Sequence, residues 1–208
     1  MEDGSVTWQT TTHQWEQTLD LEHLERIRRE PGVFARRGLL HLVLEVLAYA
    51  AEEAACNGSG RCVVTLHRDG SVAVADNGRG TDTRVDDRGR VVKKPVMATK
   101  DLRFFDSPGA AVLPDGCPRR GMSVVAALSR WLVHTNRRLD GSWTQRYEHG
   151  IPVTDLTPVP DDGTTGTTVH FVRSAAVVLD ASITAGELRR LAAVFGSHLS
   201  VEVRDERG

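Results

Sequence analysis

Leu21, Leu24 and Ile27 repeat at three-residue spacing before Pro31-Gly32, which predicts a short amphipathic helix over residues 21–29. Nearly every position from 39 to 55 is apolar, and a run of that length predicts a buried helix. Its polar breaks, His41, Glu45, Tyr49 and Glu52, fall at i, i+4, i+8 and i+11 and so share one face. Residues 62–68 and 72–76 read as strands joined at Asp69-Gly70, a hairpin signal. Residues 81–120 show no period and are rich in Gly, Pro, Asp and Arg, so they read as an irregular loop. A helix is expected over 122–131, then strands over 132–138 and 142–149 around Asp140-Gly141. A strand over 167–173, a helix over 184–195 and a strand over 199–204 complete the chain. Hairpin links imply mostly antiparallel pairing in a mixed sheet. With the helices on one face, the fold class is α+β, a two-layer α/β sandwich.

Residues 1–18 are polar and Thr/Gln-rich, carry Trp8 and Trp15, and read as a flexible N-terminal arm. Residues 19–208 read as one domain. They show no apolar run near the ~20 residues of a membrane span, and the N-terminus lacks the apolar core of a signal peptide. Lys+Arg is 26 against Asp+Glu 28, so charge gives no case for direct nucleic-acid binding. The three cysteines are irregularly spaced and the eight histidines scattered, which argues against a disulfide framework or a zinc site. The expectation is a reduced, cytoplasmic, metal-free scaffold.

Four features have chemistry in them. Glu45, a carboxylate among bulky aliphatics, suits either a solvated stripe or the wall of a cleft, where it would serve as a general base. Asp76-Asn77-Gly78-Arg79-Gly80 follows a strand directly; it is an ordinary Asx turn or a site where backbone approaches a ligand. Gly116-Cys117-Pro118-Arg119-Arg120-Gly121 opens a helix, a natural phosphate site if its N–H groups are free, although Pro118 removes one. Thr167 begins a strand after Thr164-Thr165-Gly166 and is able to share a cleft with Asp76.

Taken in chain order, these segments resemble the N-terminal ATP-binding domain of the bacterial DNA gyrase B subunit and its topoisomerase IV relative. That domain has the gyrase/Hsp90/histidine-kinase/MutL (GHKL, or Bergerat) ATPase fold. The similar stretches are 21–32, His41 to Val46, Asp69 to Gly80, Ser123 to Ser129, Gly150 to Leu156 and Thr165 to Val169. The resemblance implies that Asp76 binds the adenine amino group, with Thr167 assisting, and that Glu45 activates the attacking water. It places Val74, Gly78 and Arg79 around the adenine, and Gly121 with the preceding Arg119 and Arg120 at the end of a phosphate-covering lid.

The departures cluster at the phosphate side. Tyr49 stands where the family has its magnesium-ligating asparagine, and a phenol is a poor ligand for a hard cation. Pro118 and Arg119 replace a histidine and a glycine of the lid, and 106–111 replaces a glycine-rich run, leaving fewer N–H groups for phosphates. No transducer or cleavage domain is expected here, so a transducer lysine for the γ-phosphate is expected to be missing. The resemblance thus implies a domain that binds ATP or ADP with weak or absent hydrolysis and a compromised magnesium site. Two other readings stay open. One is an active standalone ATPase linked to type II topoisomerase function, with Arg119 or Arg120 supplying the lost charge and Glu52 helping to carry magnesium. The other is a pseudo-ATPase that binds no nucleotide and docks on a protein partner, or forms a homodimer, through the N-terminal arm.

Overall fold

The computed structural model describes residues 12–14, 17–105, 109, 111–177 and 183–208. Helix α1 (Leu21–Arg29) is capped by Asp20, whose side chain accepts from the His23 N–H, and buries Leu24 and Ile27. Pro31 then starts a one-turn helix, α2 (Pro31–Phe34). The apolar run forms α3 (Leu39–Asn57), closed by Gly58 in a left-handed conformation.

The main sheet holds β1 (Gly60–Leu66), β2 (Val72–Asp76), β5 (Ser129–Arg137), β6 (Trp143–Glu148), β7 (Ile151–Pro152), β9 (Gly166–Arg173) and β10 (Leu199–Asp205), in the order β10-β1-β2-β9-β5-β6-β7. The short strand β8 (Thr157–Pro158) pairs with β6. Only the β1–β10 pair is parallel among the described strands of this sheet, which makes it the mixed, mostly antiparallel sheet expected.

Alternation sets one face against the helices. Val64, Val74, Val169, His134 and Gln145 form a continuous row across the sheet on that buried face. Helix α3, α4 (Met122–Ala127) and α5 (Ala185–Ala192) bury Leu44, Leu47, Val124, Val125 and Leu188 in one core with it.

Three expectations are corrected. The helix expected over 122–131 stops at Ala127, because Ser129 already pairs with Arg173 as the start of β5. The expected loop 81–120 holds a two-stranded hairpin, β3 (Thr83–Val85) and β4 (Val91–Lys93), turned at Asp86 to Arg90, whose side chains pair. The last expected helix ends at Ala192 and tightens into a 3₁₀ turn over Ala193–Phe195. Of the N-terminal arm, the described part is docked: the Thr12 carbonyl accepts from the Leu102 N–H at 2.9 Å, and His13 is fully buried. Residues 1–11, 15 and 16 of the arm, Trp8 and Trp15 among them, lie outside the described residues.

Candidate functional site

Strand parity carries Asp76 to the helix side of the sheet, two residues beyond the buried Val74. The β2–β9 register, which pairs Ala75 with Thr168, brings Thr167 against it. The Thr167 hydroxyl donates to Asp76 Oδ2, and the Thr167 N–H donates to Oδ1 at 3.3 Å. The Gly78 N–H donates to Oδ1 at 2.8 Å. An ionised carboxylate offers about four acceptor positions, so roughly one is left for an incoming donor. Burial raises the Asp76 carboxyl above its usual value, against these hydrogen bonds. Gly166 makes the approach of β9 feasible: its φ is +125°, and a Cβ there would overlap the Asp76 carbonyl oxygen.

Asp76 and Thr167 line a cavity of about 630 Å³ between sheet and helices, together with Tyr49, Glu52, Arg103 and Arg79. Arg79 is exposed and held by Glu53, through Nε at 2.7 Å and Nη2 at 3.0 Å; this pairing holds Glu53 down at about 2. Gly78 packs on the same glutamate. Val74 lies beneath, fully in the sheet core.

The stripe on α3 is solvated only at its C-terminal end. His41 and Glu45 are fully buried, and Tyr49 and Glu52 are half-buried. Glu45 accepts from the Arg120 N–H and, at 2.9 Å, from the Gly121 N–H. The N–H groups expected to be free for phosphate are thus already engaged by this carboxylate, and the helix behind them has only six residues. The His41 ring bridges Glu45, at 3.3 Å from Nε2, and Asp115, at 2.8 Å from Nδ1. Burial alone would lower this imidazole, but the two carboxylates outweigh it and lift it to about 9.

The other end of the cavity is filled by its own charges. Tyr49 donates to Asp101 at 2.7 Å; burial and that carboxylate keep the phenol protonated. Arg103 grips Asp101 through Nη2 at 2.8 Å and Nε at 3.0 Å, and Glu52 through Nη1 at 3.0 Å. Arg119 also binds Glu52, with one contact at 3.0 Å, and its guanidinium sits 4.6 Å from the Tyr49 ring centroid and 4.3 Å from that of Phe104. Arg120 turns away, its Nη1 3.3 Å from the Phe104 carbonyl. Asp101 and Arg103 escape sequence reasoning, because they stand in an aperiodic stretch where nothing marks their meeting with α3.

This half-buried carboxylate at a strand end, answered by a threonine across a glycine contact, faces a cavity in an α/β sandwich of the GHKL type. No protein-family profile matches the chain. It is 35% identical over 196 residues to the mitochondrial DNA gyrase B subunit of Arabidopsis thaliana, covering 85% of this chain and 26% of that protein. It is 31% identical over 195 residues to the DNA topoisomerase 4 B subunit of Bacillus subtilis, covering 90% and 30%. Against the DNA gyrase B subunit of Thermotoga maritima it is 36% identical over 156 residues, covering 73% and 24%. The chain is a GHKL ATPase-domain-like relative of these gyrase and topoisomerase IV proteins. It spans about a quarter to a third of their length. Among the described residues, no helix is long and apolar enough to cross a membrane.

Proposed function

We propose that the chain binds an adenine nucleotide, ATP or ADP, in the 630 Å³ cavity and hydrolyses it slowly or not at all. The observation that carries this reading is the Asp76–Thr167 pair, which keeps an acceptor for an exocyclic amine at the wall of a cavity of ligand size. Val74, Gly78 and Arg79 shape the adenine end; Arg119, Arg120 and Gly121 belong to the segment over the phosphate end. In this reading Glu45 is the residue that would activate water.

Slow turnover is supported by the state of that glutamate. Both its oxygens accept from the backbone of 120–121, and it has no exposed surface, so no water reaches it until this segment moves. Electrostatic stabilisation of the transferring phosphoryl group is usually the largest catalytic contribution, and Tyr49 offers no metal-ligand oxygen in place of an amide. The N-terminal arm is the proposed contact for a second copy or a protein partner, and its described residues Thr12 and His13 line the cavity. A cytoplasmic setting and absence of direct nucleic-acid binding belong to the same reading.

The test is adenosine, ADP and ATP binding by calorimetry, with phosphate release followed in parallel. Binding of all three, lost in Asp76→Asn, with phosphate release no faster than in Glu45→Gln, is the expected result. Rapid release abolished by Glu45→Gln would show an active ATPase instead. Binding of none of them would remove the nucleotide reading.

A further inference from the structure

A divalent ion bridging phosphates needs oxygen ligands that are free to turn toward it. The described residues at this end of the cavity do not supply them. Tyr49 spends its hydrogen on Asp101, Asp101 is gripped by Arg103, and Glu52 is shared by Arg103 and Arg119. An ion placed among them would displace two guanidinium groups and then lie beside both. Magnesium therefore does not fit this end of the cavity as it stands.

The same groups fit an anion well. Guanidinium forks match phosphate oxygens as they match a carboxylate. Arg103 lines the cavity and Arg119 lies one layer behind, held between two aromatic rings, so both forks are pre-positioned. Glu52, the anion they hold, also lines the cavity and is 40% exposed at its side chain, so it is able to leave toward water. We propose that Arg103 and Arg119 receive the nucleotide's phosphates directly, with no magnesium ion, and that Glu52 is the internal anion they release. This rests on the nucleotide reading above. It makes the site a metal-independent nucleotide receptor, in which phosphate competes with the protein's own carboxylate.

The experiment is titration of the full chain with adenosine and with ATP, in EDTA and in magnesium, for wild type, Arg103→Gln, Arg119→Gln and Glu52→Gln. Wild type is expected to bind ATP in EDTA at least as tightly as in magnesium, because the ion competes for the same phosphate oxygens, and more tightly than adenosine. Charge-assisted hydrogen bonds predict that Arg103→Gln lowers ATP affinity by about tenfold or more while leaving adenosine unchanged. Glu52→Gln is expected to tighten ATP and not adenosine. Should buried Arg119→Gln fail to fold, the partly exposed Arg103 carries the test alone. ATP binding that requires magnesium, or an ATP-to-adenosine ratio unmoved by Arg103→Gln, overturns the proposal while adenosine binding keeps the nucleotide reading intact. Loss of both ligands in wild type overturns the two together.

Discussion

The two ends of the cavity are built on opposite plans. At the Asp76 end the backbone and one hydroxyl fix a carboxylate and leave it an acceptor to offer. At the Tyr49 end the charged groups answer one another: Asp101 and Glu52 hold Arg103 and Arg119. One end waits for a partner, while the other has supplied its own. Buried charges must be paired or they shift and neutralise, so guanidinium groups packed at this depth are expected to draw carboxylates to them. The aromatic Tyr49, facing a cluster of two guanidiniums, is compatible with that filled state.

The sharpest way to break the Asp76 end is through its backbone. Gly166→Ala places a methyl group on the Asp76 carbonyl at a φ only glycine adopts readily; it should cost about 2–5 kcal/mol and abolish adenosine binding. Chemical denaturation read beside titration checks this, and a stable, adenosine-binding Ala variant would mean that β9 approaches Asp76 less closely.

His41 tests whether the charge pairing extends to Glu45. Its folded value of about 9 lies above 6.5, so its contribution is complete below that pH and is lost as pH rises through 9. His41→Gln should therefore destabilise by roughly 3 kcal/mol more at about pH 6 than at about pH 10, measured by urea unfolding. An equal penalty at both would show a neutral imidazole between Glu45 and Asp115.

The smallest effect belongs to Arg79. Its pair with Glu53 is largely exposed, so Arg79→Ala should change stability by under about 1 kcal/mol. Any larger loss seen only with adenosine present would assign the guanidinium to the ligand and not to the fold.

The Asp76 end is legible in the sequence because it obeys strand periodicity: alternation through Val72 and Val74 fixes the side of Asp76, and Gly78 marks the turn. The apolar run of α3 is legible for a similar reason, though spacing alone does not say whether its polar stripe meets water or protein. Contacts from the aperiodic stretch decide that question: Asp115 reaches His41, and Arg103 reaches Glu52. The β3–β4 hairpin is hidden because its strands are three residues each, too short to show a period. Helix α4 reads too long because the apolar run Val124 to Leu128 is followed within four residues by Trp131 and Leu132, and no Gly or Pro marks the switch from helix to strand.

The most direct test of the filled, metal-independent site is calorimetric titration of ATP into wild-type and Asp76→Asn protein, each in EDTA and in magnesium. Wild type is predicted to bind in both buffers and Asp76→Asn in neither. Binding that survives in Asp76→Asn, or that appears in wild type only with magnesium, would contradict it.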